Sequence, residues 1–512
     1  MKKEFLLLAG IILLGILLRI LHWSPSPDGD EARYINHAVA ISELGTPPYF
    51  DPPVAVRVPY LLFLGLWGKA FGYATPQLQA SGLFLYALLA LLLFQLAKKL
   101  YDSGVALTSV LLFSFFPIHI LLSTHALTDD LGFVFALSAT LVWIWSWNVN
   151  SRALQIALWI VGGFAGGLAT AIRQPFFLLG VILPLSALIQ GRAFLRTMLA
   201  TMLFALGAAC YFVVEGAIFW AWLGDPLFRI GQDLLGSTSL MDAAETAARS
   251  VPRKPSSLLQ KLFYFRGYFG RLQPMGSFGL VPVLWVLAAI DRISKRDNRS
   301  TLVLVFCLVL LFYYFWGTTS LRSWSIPPVN PRYLIPIFSV GTIVVAAFLV
   351  ALHRCYGFAK PVVILAVLAW AVLSLWICAY GSRPNCTAEF IKHLSAVYGE
   401  DRDGVAIPES VLRCFLPLDH WHHVRGMRVV PDHQLSAIEK MDLSGIKAVA
   451  VPNETFYSYK HIGVNNALER TAGWWEKVEV VGEKWPKYLK LTGKPSARII
   501  GHVYIYKGDH NR

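Results

Sequence analysis

Eleven apolar stretches set the terms for this chain. They run near residues 5–22, 77–97, 104–121, 127–147, 154–172, 175–190, 196–222, 276–290, 301–316, 333–352 and 361–380. Each is close to the roughly 17–25 residues that a helix needs to cross the hydrocarbon core of a bilayer. In that core the backbone must satisfy its own hydrogen bonds, so such segments fold as helices packed on helices. The balance of the 512 residues agrees: 56% are hydrophobic and 15% are charged, against about 25% charged in an ordinary soluble domain. Disorder, a coiled coil and a cytosolic enzyme are excluded on the same ground. The first stretch is too long for a signal peptide and has no small-residue cleavage site, so it reads as an anchor.

The net charge of +14 has a place as well as a size. From Gly381 to Arg512 there are 18 basic and 15 acidic residues, so +11 of the +14 precedes Gly381. Most of it sits in short loops between apolar stretches, as the positive-inside rule requires, and nucleic acid is not needed to explain it. Lys2 and Lys3 put the N-terminus in the cytoplasm. Alternation from there places Lys98, Lys99, Arg152, Arg192, Arg196, Arg292, Lys295, Arg296, Arg299, Arg354 and Lys360 inside. The apolar segment Val58–Phe71 is too short to span and would invert this pattern, so it belongs in the outer interface.

Three segments then face outward: Ser24–Arg57, Leu223–Pro274 and everything from Gly381. The last has β-like runs at Lys447–Val451, Val478–Val481 and Ala497–Tyr506 and a helical stretch at Glu389–Tyr398. The expected fold is therefore a mainly α, polytopic membrane helix bundle of about eleven spans, with outer interfacial helices. Residues 1–380 form the membrane domain and residues 381–512 a soluble α/β domain. No Cys spacing has metal character, but Cys386 and Cys414 fall in the outward domain and can pair in an oxidising compartment.

Charged residues at the outer ends of spans are the candidate functional groups. The first outer loop reads Pro27-Asp28-Gly29-Asp30-Glu31-Ala32-Arg33-Tyr34. Asp30 and Glu31 open a helix over about Glu31–Leu44 whose Tyr34, Ile35, Ala38, Ile41 and Ser42 share one side, so it is expected to lie flat on the outer surface. Both carboxylates are equally readable as first-turn residues favoured by the helix dipole. Thr128-Asp129-Asp130 stands where one span meets the next; it is either a helix cap or an intramembrane functional pair. Arg173 before Gln174-Pro175, and Arg332 in Asn330-Pro331-Arg332-Tyr333, are either snorkelling cations or a guanidinium pair for a phosphate. Asp419-His420-Trp421-His422-His423 lacks helical ligand spacing and reads as a solvated loop rather than a metal site. Arg253–Arg271 interleaves bases with Phe263, Tyr264, Phe265, Tyr268 and Phe269 and reads as a segment touching anionic lipid. Carboxylates suit a base or acceptor-binding role, and arginines suit an anionic leaving group. A reaction that needs both beside lipid is sugar transfer from a polyprenyl phosphate.

The motif Asp30-Glu31-x-Arg33-Tyr34 after the first span resembles the signature of the GT-C class of membrane glycosyltransferases, and within it the protein O-mannosyltransferase and lipid A aminoarabinose transferase group. The later landmarks follow in the family's order: Thr128-Asp129 at the second outer loop, a basic residue before Pro175, and Arg332-Tyr333-Leu334-Ile335-Pro336 opening a late span. The resemblance covers about residues 1–380. It implies Asp30 as the catalytic aspartate, with Glu31 and Asp129 beside it in role. It further implies Arg33, Tyr34, Asp130, Arg173, Arg332 and Tyr333 as contacts to phosphate or acceptor. Arg173 stands where the family usually has lysine. Phe50-Asp51-Pro52-Pro53 lacks the lysine that family members often place there, and Arg57 lies a turn later.

The function these readings converge on is an integral-membrane glycosyltransferase of the bacterial inner membrane, with its C-terminal domain periplasmic. It transfers a hexose or pentose from a polyprenyl-phosphate donor to a protein, lipid or glycan acceptor by a single inverting displacement. Its partners are the donor, the acceptor and membrane lipid, with no nucleic acid. No cofactor is required, although Asp28-Gly29-Asp30 has the form of a divalent-metal motif. A lipid-linked-sugar flippase or secondary transporter is the rival, and places charge at mid-depth, where Glu215 is the main candidate. A membrane-anchored binding protein leaves the acidic outer loops unexplained.

Overall fold

The computed structural model describes residues 2–23, 30–45, 52–235, 280–316, 331–355 and 359–381, with shorter pieces beyond them. The described chain is mostly helical. Its first elements are α1 (Lys2–Leu21), α2 (Asp30–Leu44), α3 (Pro52–Ala55), α4 (Val58–Phe71) and α5 (Thr75–Leu100). Next come α6 (Ser103–Ser114), α7 (Pro117–Leu122), α8 (Thr128–Ser146), α9 (Arg152–Ile172) and α10 (Leu179–Ile189). They are followed by α11 (Phe194–Leu223), α12 (Phe228–Leu235), α13 (Val281–Ser294), α14 (Thr301–Trp316), α15 (Ile335–Cys355) and α16 (Ala359–Gly381).

Six of the helical stretches among the described residues are long and apolar enough to cross a membrane: Lys3–Leu21, Thr75–Leu100, Thr128–Ser146, Arg152–Ile172, Phe194–Leu223 and Arg332–Arg354. The protein is a multi-pass membrane protein. Four of the other five expected stretches hold shorter apolar runs of helix, Ser103–Ser114, Gln174–Ile189, Asn298–Tyr314 and Val363–Leu375, and the stretch near 276–290 meets the 14-residue helix Val281–Ser294. One is broken for a visible reason: residues 104–121 split into α6 and α7 because Pro117 opens the second piece and holds Phe116 extended, at φ −67° and ψ 116°. Residues 175–190 begin as a 3-10 turn, Gln174–Leu178, that starts at its proline.

The chain divides into two compact units. The first comprises Met1–Trp23, Tyr49–Phe63 and Ser81–Gly381. Within it α8, α9 and α11 pack closely. A Cβ on Gly163 would stand 1.9 Å from the Phe204 carbonyl oxygen, and one on Gly207 would stand 2.0 Å from that of Ile160. Only glycine permits this approach of two helix backbones. At one end of this unit the loops with the basic clusters are stitched together. Arg354 pairs with Asp102 at 2.8 Å, Lys98 with Glu4 at 2.9 Å and Lys295 with Asp291 at 2.7 Å. The Tyr101 hydroxyl donates to Asp297 at 3.0 Å. The apolar span Arg332–Arg354, which includes most of α15, runs from the opposite end to this one.

The second unit comprises Ser24–Pro48, Leu64–Ala80 and Ser382–Arg512. Its five-stranded sheet has the order β2-β1-β3-β5-β4. The strands are β1 (Val405–Pro408), β2 (Arg428–Val430), β3 (Ala448–Pro452), β4 (Trp475–Val481) and β5 (Ile499–Tyr506). β1 runs parallel to β2 and β3, and β5 runs antiparallel to β3 and β4. The three runs read from the sequence are β3, β4 and β5. Of the expected helix at Glu389–Tyr398, Phe390 and Leu394 are helical and buried. Cys386, Cys414, the Asp419–His423 cluster, the Arg253–Arg271 segment and Asp28 lie outside the described residues.

α2 is buried along most of its length: Ala32 to Ile41 are buried on every side, Arg33, Asn36 and His37 included. Its polar groups are paired rather than solvated. Gln79 Nε2 donates to Glu31 at 3.0 Å, and His37 Nδ1 donates to the Arg33 carbonyl at 2.9 Å. An amphipathic pattern does not tell a solvated polar face from one that is hydrogen-bonded inside.

Candidate functional site

Antiparallel packing of α8 and α9 brings the first turn of one beside the last turn of the other. Asp129 and Asp130 stand in the first turn of α8, at the positive end of its dipole. Arg173 is the C-cap of α9, at a negative end. Gly132 gives the arginine stem its room, since a Cβ there would lie 3.2 Å from Arg173 Cβ. The Arg173 guanidinium pairs with Asp129 Oδ1. Neither aspartate caps the helix, because Leu127 is its N-cap and makes no side-chain cap.

The turn that opens α15 completes the cluster. Arg173 lies 4.7 Å from the centroid of the Tyr333 ring and Arg332 lies 5.1 Å from it, so two guanidinium groups address one aromatic. Arg332 Nη2 also donates to the Tyr333 hydroxyl at 3.3 Å. Tyr333 is stacked on Tyr314 with centroids 6.0 Å apart. Asp129 Oδ2 is buried with no hydrogen-bond partner among the described residues, an acceptor that burial makes costly to leave empty.

A small cleft opens here, lined by His119, His125, Leu127, Asp129, Asp130, Arg332 and Ile335 among others. His119 Nε2 contacts both Asp130 oxygens, at 3.1 and 3.2 Å.

Below the cluster, two further arginines tie backbones together. Arg57 donates to the Ile172 carbonyl. Arg229 donates to the carbonyls of Val56 and Ala171 and grips Glu215 with Nε at 2.5 Å and Nη2 at 2.8 Å. The Tyr211 hydroxyl adds a bond to Glu215 at 2.9 Å. Val56, just before Arg57, and Ala171, two residues before Arg173, are thus held from a buried ion pair.

Of the expected site residues, the structure gathers Asp129, Asp130, Arg173, Arg332 and Tyr333 into one cluster and gives Arg57 a backbone partner next to Arg173. Asp30 opens α2, and Glu31, Arg33 and Tyr34 are buried on that helix, in the other unit. Sequence reasoning missed His119, Arg19 and Arg229. A lone arginine at position 19 of an apolar span was a usable signal; His119 and Arg229 carried none. No group of three or more His, Cys, Asp or Glu that could hold a metal occurs among the described residues.

No protein-family model and no curated protein matches the chain. Solved structures share its fold. The oligosaccharyltransferase of Archaeoglobus fulgidus, solved with Zn and sulfate, aligns with a TM-score of 0.55 and 14% identity over 92% of this chain and 71% of its own. ArnT from Cupriavidus metallidurans in the apo state aligns with a TM-score of 0.57 and 12% identity over 97% of both chains. The same protein bound to undecaprenyl phosphate gives 0.54 and 11%, again over 97% of both. This chain therefore has the fold of the GT-C class that its motifs resemble.

Proposed function

We propose that this protein is a membrane glycosyltransferase that moves a sugar from a polyprenyl-phosphate donor to a hydroxyl-bearing acceptor. The observation that carries the reading is the cluster itself. Two guanidinium groups, Arg173 and Arg332, converge on Tyr333 at a cleft whose wall includes two aspartates. Guanidinium binds phosphate in bidentate geometry, and carboxylates accept from sugar and acceptor hydroxyls. Similar folds hold such lipids: an archaeal oligosaccharyltransferase with a dolichol-phosphate and ArnT with undecaprenyl phosphate.

On this reading the phosphate is already a good leaving group, and one carboxylate takes the acceptor proton in a single inverting displacement. Asp30 is that base, with Glu31 beside it. Arg173 neutralises and orients Asp129, and Arg332 stabilises the charge that develops on the departing phosphate. Arg33, Tyr34, Arg57, Asp130 and Tyr333 line the donor or acceptor path. A divalent cation at Asp28-Gly29-Asp30 would assist the leaving group. Residues 1–380 carry the chemistry and residues 381–512 form an α/β domain outside a bacterial inner membrane, with the N-terminus in the cytoplasm.

The transporter reading needs a titratable group working at mid-depth. Glu215 is instead locked by Arg229 and Tyr211. The test is a split in kinetics. Asp30→Asn should lower kcat by about 10²–10⁴-fold, the usual worth of a general base, and leave donor KM alone. Arg332→Ala should raise donor KM first. Near-wild-type transfer to a hydroxyl acceptor by Asp30→Asn would remove the base assignment.

A further inference from the structure

Asp129 and Asp130 are neighbours in sequence but are held by different chemistry. Asp129 has an arginine; Asp130 has Nε2 of His119. The other nitrogen of that ring, Nδ1, lies 2.6 Å from Nη2 of Arg19. A guanidinium offers donors only, so Nδ1 must be the acceptor and carries no proton. The one proton of the neutral ring is then on Nε2, where it donates to the Asp130 carboxylate. An imidazolium would oppose donor to donor and press two cations together in a site shielded from water.

Arg19 is built for this contact. It lies in the last turn of α1, where a span-end arginine ordinarily reaches out to the membrane surface. Here it is fully buried. Its Nη1 donates to the carbonyls of Gly15 at 2.9 Å and Ser114 at 3.3 Å, and the guanidinium lies 3.5 Å from the centroid of the Tyr86 ring. Gly15, one turn earlier, makes room for that ring: a Cβ there would meet the Tyr86 hydroxyl at 1.8 Å. The Tyr86 hydroxyl is in turn 2.7 Å from Ser114 Oγ. The groups around the His119 ring are therefore Arg19 from α1, Tyr86 from α5, Ser114 and Phe113 from α6 and the two aspartates of α8, with His125 and Arg332 sharing the cleft.

We propose that Arg19 and His119 are positioning residues for Asp130: Arg19 fixes His119 as the neutral Nε2–H tautomer, and His119 holds the Asp130 carboxylate as an ionised acceptor on the cleft wall. What that carboxylate orients, a hydroxyl of the sugar or of the acceptor, rests on the transferase reading. With Nδ1 occupied by a guanidinium, His119 does not take a proton during turnover. The arrangement is the reverse of a catalytic triad, in which the group behind histidine favours its protonated form.

The test uses the full chain in lipid nanodiscs with ¹⁵N-labelled histidine, the His119 signals being identified by their loss in His119→Gln. Native protein should show an unprotonated Nδ1 and a protonated Nε2 across about pH 5–8, where an ordinary histidine changes charge. In Arg19→Met the ring should change charge within that range. A native Nδ1–H tautomer, a native imidazolium, or an Arg19→Met spectrum identical to the native one would overturn the proposal. In transfer assays Arg19→Met and His119→Ala should each lower kcat about 10²-fold, the cost of misplacing a reacting group, with donor KM unchanged. His119→Gln keeps a donor toward Asp130 and should recover most of the rate; wild-type kcat in His119→Ala would contradict the role. If the native protein transfers no sugar, the transferase reading fails, while the ring spectrum still decides the Arg19–His119–Asp130 chain. If Arg19→Met does not fold, the native spectrum and His119→Gln decide it.

Discussion

Replacing Arg229 by methionine removes a cation that four buried acceptor atoms share. Glu215 is 1% exposed and Arg229 is 9% exposed. The guanidinium donates to both oxygens of Glu215 and to the carbonyls of Val56 and Ala171. After Arg229→Met the Glu215 carboxylate keeps the Tyr211 hydroxyl of these donors, and both carbonyls lose this one. Breaking a buried ion pair from one side costs about 3–5 kcal/mol, because the remaining charge stays in a medium that cannot solvate it. Removing both charges, Glu215→Met with Arg229→Met, leaves the carbonyl loss, about 1–3 kcal/mol per group at most. The double variant should therefore be more stable than Arg229→Met alone, with a coupling well above the ~0.5 kcal/mol of independent sites. Reversible unfolding in mixed micelles, followed for the wild type, both single variants and the double, measures it. A cost below about 1 kcal/mol for Arg229→Met, or additivity within the ~0.5 kcal/mol typical of independent sites, would refute the argument.

Other consequences follow from the same kind of contact. Gly163→Ala drives a methyl group into the Phe204 carbonyl and should destabilise by at least the ~1–3 kcal/mol of overpacking, read in the same unfolding assay. Arg354 donates to Asp102 and holds its carboxyl below the usual carboxylate range. A depressed folded-state value stabilises above the unfolded pKa of about 4 and is lost as pH falls through the lower folded value. Both partners are exposed, so Asp102→Asn should cost under about 1 kcal/mol at pH 7, shrink in high salt and vanish in acid. Reporter fusions at Lys295 and Gly404 should lie on opposite sides of the membrane; the same side for both would invert the proposed topology.

How much of this was legible depended on whether a residue's role was written in its neighbours along the chain. Spans such as α5, α8, α9 and α11 were, because twenty or so apolar residues have one solution in a bilayer. The break at Pro117 was signalled too, yet the apolar run on both sides of it masked the two short helices. Asp129, Arg173 and Arg332 stood out as charges at the ends of apolar stretches, and the structure gathers them. Arg19 was visible as a lone charge in an apolar span, but its buried role was not, since snorkelling explains any arginine near a span end. Its partners Gly15, Tyr86, Ser114 and His119 come from four elements. β1 and β2 were missed because four and three residues carry too little pattern to separate from loop. The burial of the polar residues of α2 was not legible because pattern reports polarity, not whether a polar group meets water or a partner.

The central claim is that this fold transfers sugar from a lipid phosphate. Purified full-length protein, incubated with polyprenyl-phosphate sugars labelled in the sugar and with whole membrane extract, tests it most directly. The account predicts label moved onto a protein, lipid or glycan product and unlabelled polyprenyl phosphate released, with both lost in Arg332→Ala at low donor concentration. Label that stays on the polyprenyl phosphate, or that crosses sealed vesicles still attached to it, would contradict a transferase and favour a flippase.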